Sequence, residues 1–396
     1  MHSNIPIDRE EILNLAFELI KIESHKEVDY QENKIAEWIK SKFQKEGIES
    51  ETVAVDNADG RLNVMAYLPK KSDQISLMFN GHTDTVPPYG MSIDPFKPEI
   101  KEGKLYGRGA VDMKGGIAAF MATMFALKRA NIELPGGLAF AGVIDEEQSC
   151  RGTEYIVKNG PVPDMVVVAE PTDMKVCPAH KGMEWIEVTF KGQASHGSRP
   201  REGINAVLLA SEFSLKVQNE LLPKLEQRHH EIAGQASINV GKIQGGDDPN
   251  IVPDTCVVQL DRRWLPDETI ESITEEVTEL ANKVTKNNSK GKYSVRGMRE
   301  ATAALLNTPH STDVNSSLVQ EALHIVSHVF PDREPGPVAF KGWSDAAQLS
   351  NNLGTKGIVV GPGNIAQAHA TLEYIDVEEI VKSVHVYYEL AKKFCT

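Results

Sequence analysis

The chain has 396 residues, 41% hydrophobic and 25% charged, with a formal net charge of -14. That is an ordinary globular composition, long enough for two cores, and its acidic balance excludes nucleic acid or an anionic membrane as the main partner. The four cysteines (Cys150, Cys177, Cys256, Cys395) are scattered without a CxxC pair, so neither a disulfide framework nor a thiolate metal site is expected.

The first residues, MHSNIPIDREEIL, lack a basic stretch followed by an apolar core, and a cytoplasmic location is expected. Asp8 and Glu11 have capping-box spacing and predict a helix to residue 20. A second helix is expected over 31–45, with Ile35, Ile39 and Phe43 on one face and Gly47 as its stop. Strands follow over 62–68 and 75–79. The second ends at the turn signal Asn80–Gly81 and delivers His82 and Asp84 side by side. After a proline-rich loop comes LYGRGAVDMKGG, with Asp112 at its centre and Gly115–Gly116 opening an apolar helix to Arg129. The apolar part, 115–127, is short for a bilayer span and reads as a core helix. Apolar strands over 137–144 and 165–169 end in Asp145, Glu146 and Glu147, and in Glu170.

Near Lys181 the pattern changes. Alternating strands over 185–191, 235–243 and 255–264, with helices over 203–222 and 267–286, predict a β-α-β-β-α insert. The polar stretch 287–292 then returns the chain to the first domain, which closes with a helix at 313–329, a strand at 357–360 and a helix at 376–394. The expected architecture is an α/β domain (1–182 with 293–396) interrupted by an α+β domain at 183–292.

His82/Asp84, Asp112, Glu146/Glu147 and Glu170 all lie at or near strand ends, and His369 follows late in AQAHATLEY. Ligands gather at the carboxyl ends of strands in such sheets. Several buried carboxylates without a cation are expensive, and His and carboxylate donors without cysteine suit catalytic zinc, with cobalt or manganese as substitutes. Two dications, the carboxylates of Asp112, Glu147 and Glu170 and two neutral imidazoles sum to about +1, which one bridging hydroxide neutralises. Glu146 is then a spare carboxylate placed to act as general base. For Glu146 and Glu147 both to face the site, the strand must end before them, at Asp145.

GHTDTVP, GRGAVDMKGG, DEEQSCRGT, VVAEPT and AHATLEY, in this order, resemble the five metal-site motifs of the M20 metallopeptidase family. That family includes acetylornithine deacetylase, succinyl-diaminopimelate desuccinylase, aminoacylase-1 and glutamate carboxypeptidase. The resemblance implies a zinc-peptidase-like catalytic domain with an inserted lid and dimerisation domain. It implies two zinc ions per subunit, one on His82 and Glu170, the other on Glu147 and His369, with Asp112 bridging. Asp84 would orient His82, and Glu146 would be the base. A cis peptide after Asp112 is implied as well. ASHGSRPREGINA resembles the family's lid motif, which makes His196 an oxyanion donor. NIVPDTCVVQLDRR resembles its carboxylate-binding segment, which points to Asn250 and Arg263. In the loop KGWSD, Trp343 departs from the small residues common there and bears on the acyl pocket. The implied activity is deacylation of an N-acyl amino acid by a metal-bound hydroxide, in a homodimer. The alternatives are a dipeptidase or carboxypeptidase on the same site, or a non-catalytic amino-acid or peptide binder. No G-x-S-x-G elbow supports a serine hydrolase.

Overall fold

The computed structural model describes residues 5–72, 74–286, 291–300, 302, 304–333 and 336–396. The chain divides into two compact units, one running to Ala179 and resuming over His310–Thr396, the other spanning His180–Pro309.

In the first unit, α1 (Arg9–Lys21) opens at Asp8, whose side chain accepts the Glu11 amide at 2.7 Å. Only this half of the expected capping box forms. The Glu11 carboxylate instead accepts both Arg129 Nη atoms at 2.7 Å, because a charge-assisted fork outweighs one bond to an N-cap amide. α2 (Asn33–Lys45) buries Ile35, Ala36, Ile39 and Phe43. β1 (Glu49–Ala54) lacks an apolar pattern and was not expected; it is an edge strand made by antiparallel pairing with β2 (Leu62–Leu68). β3 (Ile75–His82) corrects the expected turn at Asn80–Gly81. Asn80, Gly81 and His82 stay in the ladder because parallel neighbours flank the strand, and a Cβ on Gly81 would lie only 3.0 Å from Met113. After β4 (Lys104–Tyr106) comes α3 (Gly115–Arg129). With the turn before it, the apolar segment reaches 20 residues over 110–129, long enough by length and composition to cross a membrane. It is nevertheless buried throughout, as a core helix. β5 (Leu138–Val143), α4 (Arg151–Asn159) and β6 (Pro163–Val168) complete this half.

The second unit contains β7 (Gly182–Lys191), β8 (Ser195–His196), α5 (Ala206–Lys216), β9 (Ser237–Gly245), β10 (Ile251–Val252), β11 (Thr255–Trp264), α6 (Ile270–Lys286) and β12 (Lys292–Gly297). Its antiparallel sheet has the order β9-β11-β7-β12. β12 corrects the expected return at 287–292. Residues 287–290 lie outside the described residues, but 292–297 pair with β7, so the second unit continues to Pro309. The helices also start later than expected, and the first runs on past Lys216 through a π-turn (Val217–Leu221) to Leu225. α5 starts after its cap Asn205, and α6 starts after Thr269, which exchanges side-chain-to-amide caps with Ser272 in the first turn at 3.0 and 3.2 Å.

The first unit resumes with α7 (Ser317–Val329), α8 (Ala346–Leu353), β13 (Lys356–Val359), β14 (Tyr374–Asp376) and α9 (Val377–Cys395). Its main sheet, in the order β1-β2-β5-β3-β6-β13, is parallel from β5 to β13. Phe79 on β3 stacks on Phe120 of α3 at 4.4 Å, and Tyr387 of α9 lies 4.5 Å from Phe120. These rings lock the helices to the sheet from which the candidate site projects. All four cysteines are buried.

Candidate active site

Register brings the motifs together. His82 pairs with Val143, and Asn80 with Val168, so β3, β5 and β6 end at one level. Their extensions carry His82, Glu146/Glu147 and Glu170. Beyond β5, Asp145 adopts φ +71, and its carbonyl accepts the amides of Ser149 (2.9 Å) and Cys150 (2.6 Å). This left-handed residue breaks the strand alternation, so the consecutive Glu146 and Glu147 both belong to the cluster. Asp112 sits in the irregular turn before α3, and the Asp112–Met113 peptide is cis.

Asp112 is the centre of the cluster. Its Oδ1 lies 2.9 Å from His82 Nε2, and its Oδ2 lies 3.2 Å from His369 Nε2. Glu170 Oε1 is 3.6 Å from His82 Nε2, and Glu147 Oε1 is 3.0 Å from His369 Nε2. Two triads result, His82/Asp112/Glu170 and Asp112/Glu147/His369. In each, one donor atom per residue lies within 4.8 Å of the others. His82 Nδ1–H donates to the Asp84 carbonyl at 3.0 Å, which leaves Nε2 as the lone-pair donor. The donor set is nitrogen and oxygen only, two imidazoles with three carboxylates, and it fits a pair of divalent cations.

The electrostatics point the same way. Burial opposes charge on His82, yet hydrogen bonds to Asp112 and Asp84 and the charge of Glu170 lift its pKa well above the usual imidazole value. The Asp112 and Glu147 hydrogen bonds raise His369 to about 10. Burial, with Asp112 close by, raises Glu147, and the same pair of causes raises Glu170 well above the usual carboxylate range. Burial and then Glu170 push Glu146 well above it too. Carboxylates packed this closely resist ionisation and stabilise positive charge at their centre.

Asp84 does something the sequence does not disclose. Its side-chain Oδ1 is 3.6 Å from His82 Nδ1, while Oδ1 and Oδ2 accept the amides of Glu146 (3.2 Å) and Glu147 (3.1 Å). Its carboxylate therefore holds the acid-bearing turn, and its main chain orients His82.

Further residues escape the sequence reading. Buried Arg61 binds Glu32 (Nε–Oε2 2.7 Å) and Asp145 (Nη1–Oδ1 2.9 Å), and Arg151 Nε donates to Asp145 at 2.6 Å, so the turn is anchored from beneath. Burial raises Glu32 to about 7 despite Arg61. Glu373, inside the quoted AHATLEY, pairs with Arg108. Asp345, in KGWSD, is buried ahead of α8, and its charge helps raise both Glu146 and Glu170. Arg108, Arg151, Asp345 and Glu373 lie inside the quoted segments, which was the signal available for them; no local signal marks Arg61 or Glu32. Trp343 in the same loop is half-buried.

In the second unit, His196 pairs with Ile251, and the Gly197 amide donates to the Asn250 carbonyl at 2.6 Å, so β8 and β10 bring His196 and Asn250 together. The Ser198 amide donates to His196 Nδ1 at 3.2 Å, which assigns the ring proton to Nε2 in the neutral imidazole. Arg263 is engaged by Asp261 on its own strand, with Nε–Oδ1 at 2.9 Å and Nη2–Oδ2 at 3.1 Å.

Comparison with known proteins places this geometry. Acetylornithine deacetylase of Proteus mirabilis is 29% identical over 371 residues, covering 92% of this chain and 89% of that protein. A probable succinyl-diaminopimelate desuccinylase of Staphylococcus aureus is 29% identical over 408 residues, covering 95% of each. The crystal structure of a tripeptidase from Staphylococcus aureus superposes with a TM-score of 0.80 at 21% identity, covering 98% of this chain and 99% of that one. The family model of peptidase family M20/M25/M40 matches residues 78–393, and the chain belongs to that family of hydrolases.

Proposed function

We propose that this M20 hydrolase is a dinuclear metal enzyme that removes the acyl group from an N-acyl amino acid. The observation that carries this reading is the double use of Asp112, each of whose carboxylate oxygens faces its own triad. Zinc is the preferred pair of ions, two per subunit, with cobalt or manganese as substitutes. When bound, such ions polarise an amide carbonyl and acidify water.

The chain's own groups do the rest. Glu146, partly exposed beside the triads, takes the proton of the attacking water and returns it to the leaving amine. Asp84 keeps Glu146 and Glu147 in place. His196 offers Nε2–H to the oxyanion. Asn250 and Arg263 take the substrate carboxylate, which for Arg263 requires exchange with Asp261. Leu208 and Leu215 on α5 and Ile243 on edge strand β9 are exposed apolar side chains, which supports a homodimer through the second unit. We place the enzyme in the cytoplasm, acting on a small molecule.

The two 29% identical relatives favour acyl substrates, while the likeness to a tripeptidase favours a second reading, peptide cleavage at the same site. The test is a panel of N-acetyl and N-succinyl amino acids against di- and tripeptides, using metal-loaded protein. Release of acetate or succinate, with peptides left intact, supports deacylation. Peptide cleavage alone transfers the assignment to a peptidase. Tight ligand binding without turnover, at less than one metal per chain, overturns both and leaves a binding protein.

A further inference from the structure

Glu373 lies four residues after His369 and is 1% exposed. Its Oε1 accepts the amides of Val111 at 3.1 Å and Asp112 at 3.3 Å. Its Oε2 meets Arg108 Nη1 at 2.5 Å, and Arg108 is also 1% exposed. The main chain is tied in the same direction. The Gly107 amide donates to the Glu373 carbonyl at 3.2 Å, and β14 pairs Tyr374 with Tyr106 of β4. His369, by contrast, sits in a left-handed conformation (φ +59) with its side chain 52% exposed.

We infer that Glu373 is a positioning residue that sets the loop of Asp112 against the loop of His369. One carboxylate grips the backbone of the shared ligand, while its own backbone leads back to a ligand of the second triad. A buried carboxylate is costly unless it is fully hydrogen-bonded, and here three donors converge on it. Without that grip, Asp112 Oδ2 and His369 Nε2 lose their mutual placement. Asp112 Oδ1 and His82 Nε2 lose less, because in that pair only Asp112 is released, while His82 is fixed by β3 and by the Asp84 carbonyl. Glu373 therefore governs the Asp112/Glu147/His369 site more than the His82/Asp112/Glu170 site.

The inference rests on the dinuclear reading, and Co2+ titration of the full-length protein separates the two. Wild-type protein that binds no Co2+ ends the dinuclear reading itself. If wild type binds two Co2+, Glu373→Gln is expected to keep its fold by circular dichroism and to weaken one site by about 10–100-fold, the usual effect of losing a group that orients a ligand, leaving the other within about threefold. Should the single variant not fold, the double variant Glu373→Gln/Arg108→Met leaves no unpaired buried charge and is expected to show the same selective loss. Two wild-type Co2+ affinities in the folded variant, even with a lowered Tm, reduce Glu373 to a structural role and overturn the inference. Equal weakening of both sites also overturns it, because the coupling of the two loops is then absent.

Discussion

Asp84→Asn tests how the acid-bearing turn is held. Asp84 is 1% exposed and accepts two amides, Glu146 N–H at 3.2 Å and Glu147 N–H at 3.1 Å. An asparagine offers one carbonyl oxygen, and its NH2 must then face the other amide donor. One hydrogen bond to a charged acceptor, worth about 1.5–3 kcal/mol, is lost, and a buried donor is left unsatisfied. If about 2 kcal/mol of that loss falls on the placement of Glu146 in the transition state, kcat drops roughly 30-fold. The main-chain carbonyl that fixes the His82 tautomer is untouched by the substitution, and Asp84 belongs to neither triad. Metal content at saturation is thus expected to stay at two ions per chain, with KM within about threefold because no substrate contact is removed. The assay is steady-state kinetics on the best substrate of the panel, with elemental analysis of the dialysed protein. Wild-type kcat would refute the role given to the turn. Parallel loss of metal and activity would show that Asp84 acts through the ligands instead.

Glu146→Gln removes the proposed base while leaving both triads intact. Turnover is expected to fall by at least about 10²–10⁴-fold with metal stoichiometry retained, and near-normal activity would exclude Glu146 as the base. Arg61→Leu strands buried Glu32 and takes one partner from Asp145. Urea unfolding should show about 3–5 kcal/mol lower stability, and a loss below about 1 kcal/mol would contradict the anchoring cluster. His310 is fully buried, and burial lowers its pKa to about 4 although it bonds the Gly357 carbonyl. The unfolded chain therefore takes up this proton first as pH falls. The contribution of His310 is complete above about pH 6.5 and is lost as pH falls toward 4, roughly 3 kcal/mol in all. Its imidazole NMR resonance should stay in the neutral position until about pH 4, and titration near 6.5 would refute this.

Much of the site was legible because its determinants are local. Two-residue spacing put His82 and Asp84 together, apolar runs located the strand ends, and Asp145 marked where β5 breaks so that Glu146 and Glu147 fall together. These signals depend on short-range backbone geometry that residue type controls directly. Where reading failed, long-range pairing had overridden local preference. Asn80–Gly81 looks like a turn but is held extended between two parallel neighbours, and β1 and β12 exist because a partner strand is available.

Sequence by itself determined which chemistry is possible: two imidazoles and several carboxylates, no thiolate set, and a spare acid beside a ligand. Only the tertiary structure decided how each carboxylate is used. Asp112 serves two triads because its two oxygens face opposite histidines. The Asp84 carboxylate turns to two amides 62 and 63 residues away, and Arg108 finds Glu373 at a separation of 265 residues. Arg263, which by motif could clamp a substrate, is engaged by Asp261. Pairings across such distances follow from sheet order and loop closure, and no local periodicity encodes them.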